Sequence, residues 1–223
     1  MDIKKALSLT LPCVASVVGC GGKTSLIKLV ANSYPGKKRL IAPTTKMYPL
    51  SLSGVDFCGD ICPASGKAVS PDFENLAEIA KKYQLVLLEA DGSRGLPLKG
   101  WRPDEPAVHP LTTQTIGVLT LAGVGRLAVE EFVHNLDIFL ELTGMEYGEQ
   151  ITLNAIKIIL TSPAGLFKGS RGERIVLINQ VEDEQTQQLA KQLLGELAKE
   201  RPGFFSKLLF GSIKNNVWQE VPI

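Results

Sequence analysis

The chain has 223 residues, 44% of them hydrophobic, and a formal net charge of +1. That length suits one α/β domain with a substantial core, and the near-neutral balance without a dense basic stripe argues against a nucleic-acid partner. No run reaches the roughly 18 consecutive apolar residues of a membrane helix, so no membrane association is expected.

The opening run, MDIKKALSLTLPCVASVVG, begins with lysines and apolar residues as an export signal would, but Ser8, Thr10, Pro12 and Ser16 interrupt it. It is read as leading into a strand, and the cytoplasm is the expected compartment. Apolar β-rich runs then alternate with helical patterns, the signature of a mostly parallel sheet covered by helices. Strands are predicted at 13–18, 39–43, 85–90, 115–123, 174–180 and 207–213, with an edge strand at 54–58. Helices are predicted over 23–33, from Pro71-Asp72 through Ala80, and over 184–199, where Leu189, Leu193, Leu194 and Leu197 share a face. Residues 50–71 and 92–110 read as loops. Residues 126–170 read as a mainly helical insertion, one helix ending at Gly144 and another starting at Thr152. A single domain over 1–223 is expected, with about six or seven strands and helices on both faces.

The segment VVGCGGKTSL sets three glycines immediately before a lysine and two hydroxyls, between a strand and a helix. Such a turn presents backbone amides and the positive helix terminus to one point, and side-chain-free residues let a polyphosphate approach closely. Gly19, Cys20, Gly21, Gly22, Lys23, Thr24 and Ser25 are therefore the candidate phosphate-binding residues, with Lys23 bridging terminal phosphates and Thr24 ligating Mg²⁺. The pattern is shorter than the common G-x-x-x-x-G-K-[ST], because Val17 stands at the first glycine position. Lys23→Ala is expected to abolish nucleotide binding and leave stability nearly unchanged.

At the end of the third main strand, LVLLEADGS supplies Glu89 and Asp91, one to hold Mg²⁺ and the other to position water. Thr44 and Thr45 end the second strand, where α/β sheets line their ligand crevice. Asn179 and Glu182 in LINQVED are candidates for contacting the base, although Gln180 and Glu182 depart from Asn-Lys-x-Asp; the alternative is an ordinary turn with Asp183 near a helix start. Lys99 and Glu105 touch a ligand or form a solvated ion pair. His109 is read as a loop residue and His134 as a helix-surface one. Cys58 and Cys62 lack a second ligand pair and are read as reduced thiols.

Taken together, VGCGGKTSL, PTTKM, LLEADGSRGLPLKGWRPDEPAVHP, LTSPAGLFKGSRG and VLINQVED resemble the YqeC family, accessory proteins of selenium-dependent molybdenum hydroxylases. The resemblance implies a P-loop NTPase-like fold using Mg²⁺ and ATP or GTP. Nucleotide hydrolysis would be coupled to maturation of a molybdenum hydroxylase, with that enzyme or its maturation factors as partners and a homodimer as the assembly. The glycine loop is also similar to that of the ATP-using Mur ligases, and Glu89-x-x-Gly92 to nickel-delivering GTPases. The alternative is a nucleotide-dependent phosphotransferase or ligase acting on a small molecule.

Overall fold

The computed structural model describes residues 1–223. The first half contains α1 (Ile3–Leu7), β1 (Cys13–Gly19), α2 (Lys23–Asn32), β2 (Arg39–Pro43), β3 (Lys46–Met47), β4 (Asp56–Phe57), β5 (Asp60–Ile61), β6 (Ala68–Val69), α3 (Phe73–Ala80), β7 (Leu85–Glu89) and β8 (Leu98–Lys99). The second half contains β9 (Gln114–Thr120), β10 (Val133–His134), α4 (Leu136–Thr143), α5 (Leu153–Thr161), β11 (Glu173–Asn179), α6 (Glu184–Glu200), β12 (Lys207–Ser212) and β13 (Val217–Val221). None of the helices is long and apolar enough to cross a membrane.

The predicted helix starts have physical causes. The Asp72 carboxylate accepts the Asn75 N–H at 2.8 Å, the Thr152 hydroxyl accepts that of Ala155 at 3.2 Å, and Asp183 accepts that of Thr186 at 2.8 Å. Each satisfies a donor that the first helical turn leaves without a partner. Asp183 is thus a helix cap, as the plainer reading of that turn holds. Gly144 ends α4 in the left-handed region, at φ 70°.

Eight strands form the main sheet in the order β13-β12-β11-β9-β1-β7-β2-β4. All pair in parallel except β13, which runs antiparallel to β12. The edge strand expected at 54–58 is β4. The count exceeds six or seven because the chain folds back after Ser212, through the polar Lys214-Asn215-Asn216 stretch, into β13. Residues 3–7 are helix rather than an approach to a strand; five residues are too few to show a helical period.

Side chains of successive strand residues point to opposite faces. Ile175 and Leu177 join Ala15, Val17, Leu85, Leu87 and Trp218 under α1 and α2. Val176 and Ile178 join Val18, Leu119 and Phe210 in the larger cluster, which includes residues of α4, α5 and α6. Leu76 and Ala80 of α3 pack with Leu40, Ala42, Val86 and Leu88. Helices therefore cover both faces, as expected.

His134 departs from its expected place on a helix surface. It belongs to β10, which pairs with β8 so that His134 stands beside Lys99. The helix begins only at Leu136, because Asn135 takes a left-handed conformation, φ 54°. His109 lies in a loop as read but is buried, its Nε2 3.0 Å from the Phe73 carbonyl and its Nδ1 accepting the Leu111 N–H.

The chain start is tied to β13, where the Met1 ammonium donates to the Trp218 carbonyl at 2.8 Å and the Met1 carbonyl accepts the Trp218 N–H. Trp218 is buried on this seam. Trp218→Ala is expected to lower stability by about 3–5 kcal/mol, read as an earlier urea midpoint with an unchanged slope.

Candidate nucleotide site

The parallel register puts Glu89 of β7 beside Val17 of β1 and Pro43 of β2. The glycine loop, the acidic segment and the Thr44-Thr45 pair thus leave neighbouring strands at the same edge, where α/β sheets open a crevice.

The loop is held from below. Gly19 adopts φ 103°, and a Cβ there would meet the Val118 carbonyl oxygen at 2.3 Å. Its N–H donates to both Asp91 oxygens at 3.0 Å, and the Cys20 N–H donates to the Val118 carbonyl at 2.9 Å. The Cys20 side chain packs in the core, where burial pushes its thiol up to about 12. Of the residues expected to present amides, Gly19 and Cys20 therefore spend theirs internally. The N–H groups of Gly21, Gly22, Lys23, Thr24 and Ser25 donate to no group of the protein. Gly22 caps α2 without a side-chain hydrogen bond, and the first turn carries no acidic residue. The positive end of the helix is thus left open.

The two carboxylates, so close in sequence, have different surroundings. Asp91 is wholly buried and forms ion pairs with Lys23 at 3.1 Å and Lys99 at 3.7 Å, and Trp101 Nε1 donates to it at 2.8 Å. Lys99 also donates to the Gly92 carbonyl at 2.7 Å and pairs with Glu105 at 2.9 Å. The pair of Lys99 and Glu105 is therefore not solvated, since Lys99 is 0% exposed. Buried and fully partnered, Asp91 is not placed to ligate metal or position water; it anchors the loop. Lys23 folds back under the loop, bonding to the Gly19 carbonyl as well as Asp91. Burial alone would lower its proton affinity, but Asp91 and then Glu89 outweigh burial and keep it above the usual lysine value.

Glu89 instead faces a cleft of about 710 Å³ lined by Gly21 to Ser25 on one wall. Its Oε2 accepts the Thr24 hydroxyl at 2.7 Å. Burial raises its carboxyl above the usual range, while Lys23 and the Thr24 hydroxyl pull it partly back. A hydroxyl and a carboxylate beside free amides form a donor set suited to Mg²⁺, which keeps several waters and takes one or two carboxylates plus phosphate oxygens.

The threonines after β2 do not line this cleft. The Thr44 N–H and hydroxyl both donate to the Glu89 carbonyl, at 3.0 and 3.4 Å, and the shielded Thr45 hydroxyl has no partner. Asn179 braces the loop, donating to the Gly21 carbonyl at 2.7 Å and accepting the Ile213 N–H at 2.9 Å. Glu182 accepts the Ser212 hydroxyl at 2.7 Å. Asn179 and Glu182 line a second hollow of about 660 Å³, which shares Gly22, Ser25 and Gln180 with the first. Sequence reasoning missed Lys46, Tyr48, Lys67 and Arg94, which also line the main cleft. The alternation of Lys46 and Tyr48 was the available signal, but two-residue strands barely register as a pattern.

Comparison with known proteins follows the same residues. A family model described as YqeC protein matches residues 15–69 and 53–137, which contain the loop, both carboxylates and the Lys99-Glu105 pair. An Escherichia coli K12 protein called "Uncharacterized protein YqeC" is 32% identical over 181 residues, 70% of this chain and 71% of that one. The chain belongs to the YqeC family. No solved structure matches it. The resemblance read from the glycine loop and the Glu-Ala-Asp-Gly-Ser segment is thus supported at the level of the family.

Within this YqeC-family site, Asp91→Asn leaves two buried ammonium groups without their shared counter-ion and is expected to cost about 3–5 kcal/mol in chemical denaturation. A carboxyl raised on folding contributes stability below its unfolded value of about 4.3, and that contribution disappears as pH climbs through the folded value. The melting temperature of the wild type is accordingly expected to fall relative to that of Glu89→Gln as pH rises from about 4 to 7.

Proposed function

We propose that this protein binds a nucleoside triphosphate with Mg²⁺ in the cleft around the glycine loop, and hydrolyses it while assisting maturation of a selenium-dependent molybdenum hydroxylase. The observation that carries the binding reading is the row of unpartnered amides from Gly21 to Ser25, next to the Thr24-Glu89 pair. The strand order adds support, because β1 with its loop lies directly against β7 with its acid, which brings the amides and the carboxylate to one strand edge.

Gly21 to Ser25 would donate to the β- and γ-phosphates, and the open end of α2 would favour their charge. Thr24 and Glu89 would hold Mg²⁺, which supplies charge neutralisation at the phosphate oxygens. Lys23 would swing from Asp91 toward the terminal phosphate, exchanging one anionic partner for another. Asp91 would keep Lys99 and the Trp101 indole as partners and hold the Gly19 end of the loop. The sugar and base would lie in the adjoining hollow, near Gln180, Glu182 and Lys214. The reading covers ATP and GTP alike, since Asn179 is committed to the loop and Glu182 to Ser212.

The maturation role rests on family resemblance in the loop and the Glu89–Glu105 segment. On that reading the protein acts in the cytoplasm as a single domain, paired as a homodimer, with the hydroxylase or its maturation factors as client. A second reading, phosphoryl transfer to or ligation of a small molecule, is favoured by Lys46, Lys67 and Arg94, which also line the cleft.

A thermal scan with ATP and GTP, with and without Mg²⁺, tests the binding reading. Ligand at a hundred times its dissociation constant adds about 2.7 kcal/mol, and Thr24→Ala is expected to lose the Mg²⁺-dependent part of that gain. No protection by either nucleotide would sink the proposal. Lys23→Ala is expected to lose binding and also to lower the urea midpoint, because it removes a counter-ion from buried Asp91.

A further inference from the structure

The main cleft has two unlike walls. Besides the glycine loop, it is lined by Lys46 to Tyr48 and Lys67 of the small antiparallel sheet β3-β6-β5 and by Gly92 to Gly95. Lys46 pairs with Val69 and Met47 with Ala68, so Tyr48 stands across from Lys67. The Lys67 ammonium indeed lies over the Tyr48 ring, 5.1 Å from its centre. Lys46 and Tyr48, two residues apart, share one face of the strand, while Met47 turns the other way into the core.

This wall carries more positive charge than the nucleotide reading uses. None of Lys46, Lys67 and Arg94 forms an ion pair, and Glu89 is the one carboxylate among the cleft-lining residues. Lys67 is close enough to Glu89 to draw its carboxyl downward. A magnesium-bound triphosphate already has Lys23, the free amides and the helix terminus on its own wall. Space is in surplus too. The hollow beyond Gly22 and Ser25 can take the sugar and base, so the nucleotide brings only its phosphate tail into the 710 Å³ cleft. Whole ligands occupy pockets of about 300–1,000 Å³. Tyr48, 64% exposed, presents a flat apolar surface beside those cations.

We propose that Lys46, Lys67, Arg94 and Tyr48 form a binding site for a second small molecule, one that carries a phosphate or carboxylate on a flat unsaturated ring. The cations hold the anionic group and the Tyr48 ring stacks on the flat one. The site's role as a second site rests on the nucleotide reading above, which fills the glycine loop; the anion site itself rests on these four residues alone. It would place the second ligand in the same cleft as the terminal phosphate, where a phosphoryl acceptor or a nucleotide-gated cargo has to sit.

Calorimetric titration of the full chain with 1-naphthyl phosphate, 1-naphthoate and inorganic phosphate tests this. Each titration is run with and without a saturating non-hydrolysable nucleotide and Mg²⁺. With the nucleotide bound and the glycine loop filled, one equivalent of 1-naphthyl phosphate or 1-naphthoate is expected to bind, and the tighter of the two identifies the anionic group. The Lys46→Ala/Lys67→Ala double variant is expected to weaken it about tenfold or more. Tyr48→Ala is expected to weaken the naphthyl probes about fivefold or more while leaving inorganic phosphate unchanged. Absence of saturable probe binding to the nucleotide-bound chain, or equal affinity there in the double variant, would each overturn the proposal. Probe binding without nucleotide binding would instead overturn the nucleotide reading and leave the anion site standing.

Discussion

A single buried carboxylate organises this end of the sheet. Asp91 has no exposed surface, yet it accepts from the Gly19 amide and the Trp101 indole and faces two ammonium groups. Removing a charge from water costs several kcal/mol unless partners compensate it. Here the compensation comes from three separate stretches of chain: the loop after β1, the head of α2 and the segment around β8. Satisfying one carboxylate therefore fixes the glycine loop relative to residues 99–105. The loop's free amides can remain free because Asp91 holds the loop from behind.

The same arrangement separates the duties of two acids that stand two positions apart. Residues at i and i+2 on an extended chain point the same way, so Glu89 and Asp91 would face one direction if β7 continued. The strand ends at Glu89. Glu89 then faces the cleft and the Thr24 hydroxyl, while Asp91 turns beneath the loop. One acid is left for a ligand and the other for architecture. Lys23 is shared between these tasks, since it is paired to the architectural acid and feels the cleft acid as well.

Around this centre the remaining pieces serve as walls. Asn179 ties the loop to the end of β11 and, through Ile213, to the end of β12, so the hollow beyond Gly22 is built from three strand ends. On the other side the three-stranded sheet carries Met47 and Ala68 into the interior, which leaves Lys46 and Tyr48 for the cleft. His109 fastens the segment that follows β8 to the start of α3 through the Phe73 carbonyl.

The sequence alone determined the α/β class, the order of the main strands along the chain and the caps at Asp72, Thr152 and Asp183, because these depend on neighbours a few residues apart. It also marked the glycine loop, by its three glycines set directly before Lys23 and Thr24, and the acidic segment after β7. Tertiary structure alone decided which amides are free, which acid faces the cleft, that Lys99 is buried rather than solvated, and that Lys46 and Lys67 join the same cavity as Ser25. Those outcomes depend on pairings between residues tens of positions apart and on which charges must share a buried space. No local pattern encodes such pairings, since burial is a property of the assembled sheet and not of any one of its strands.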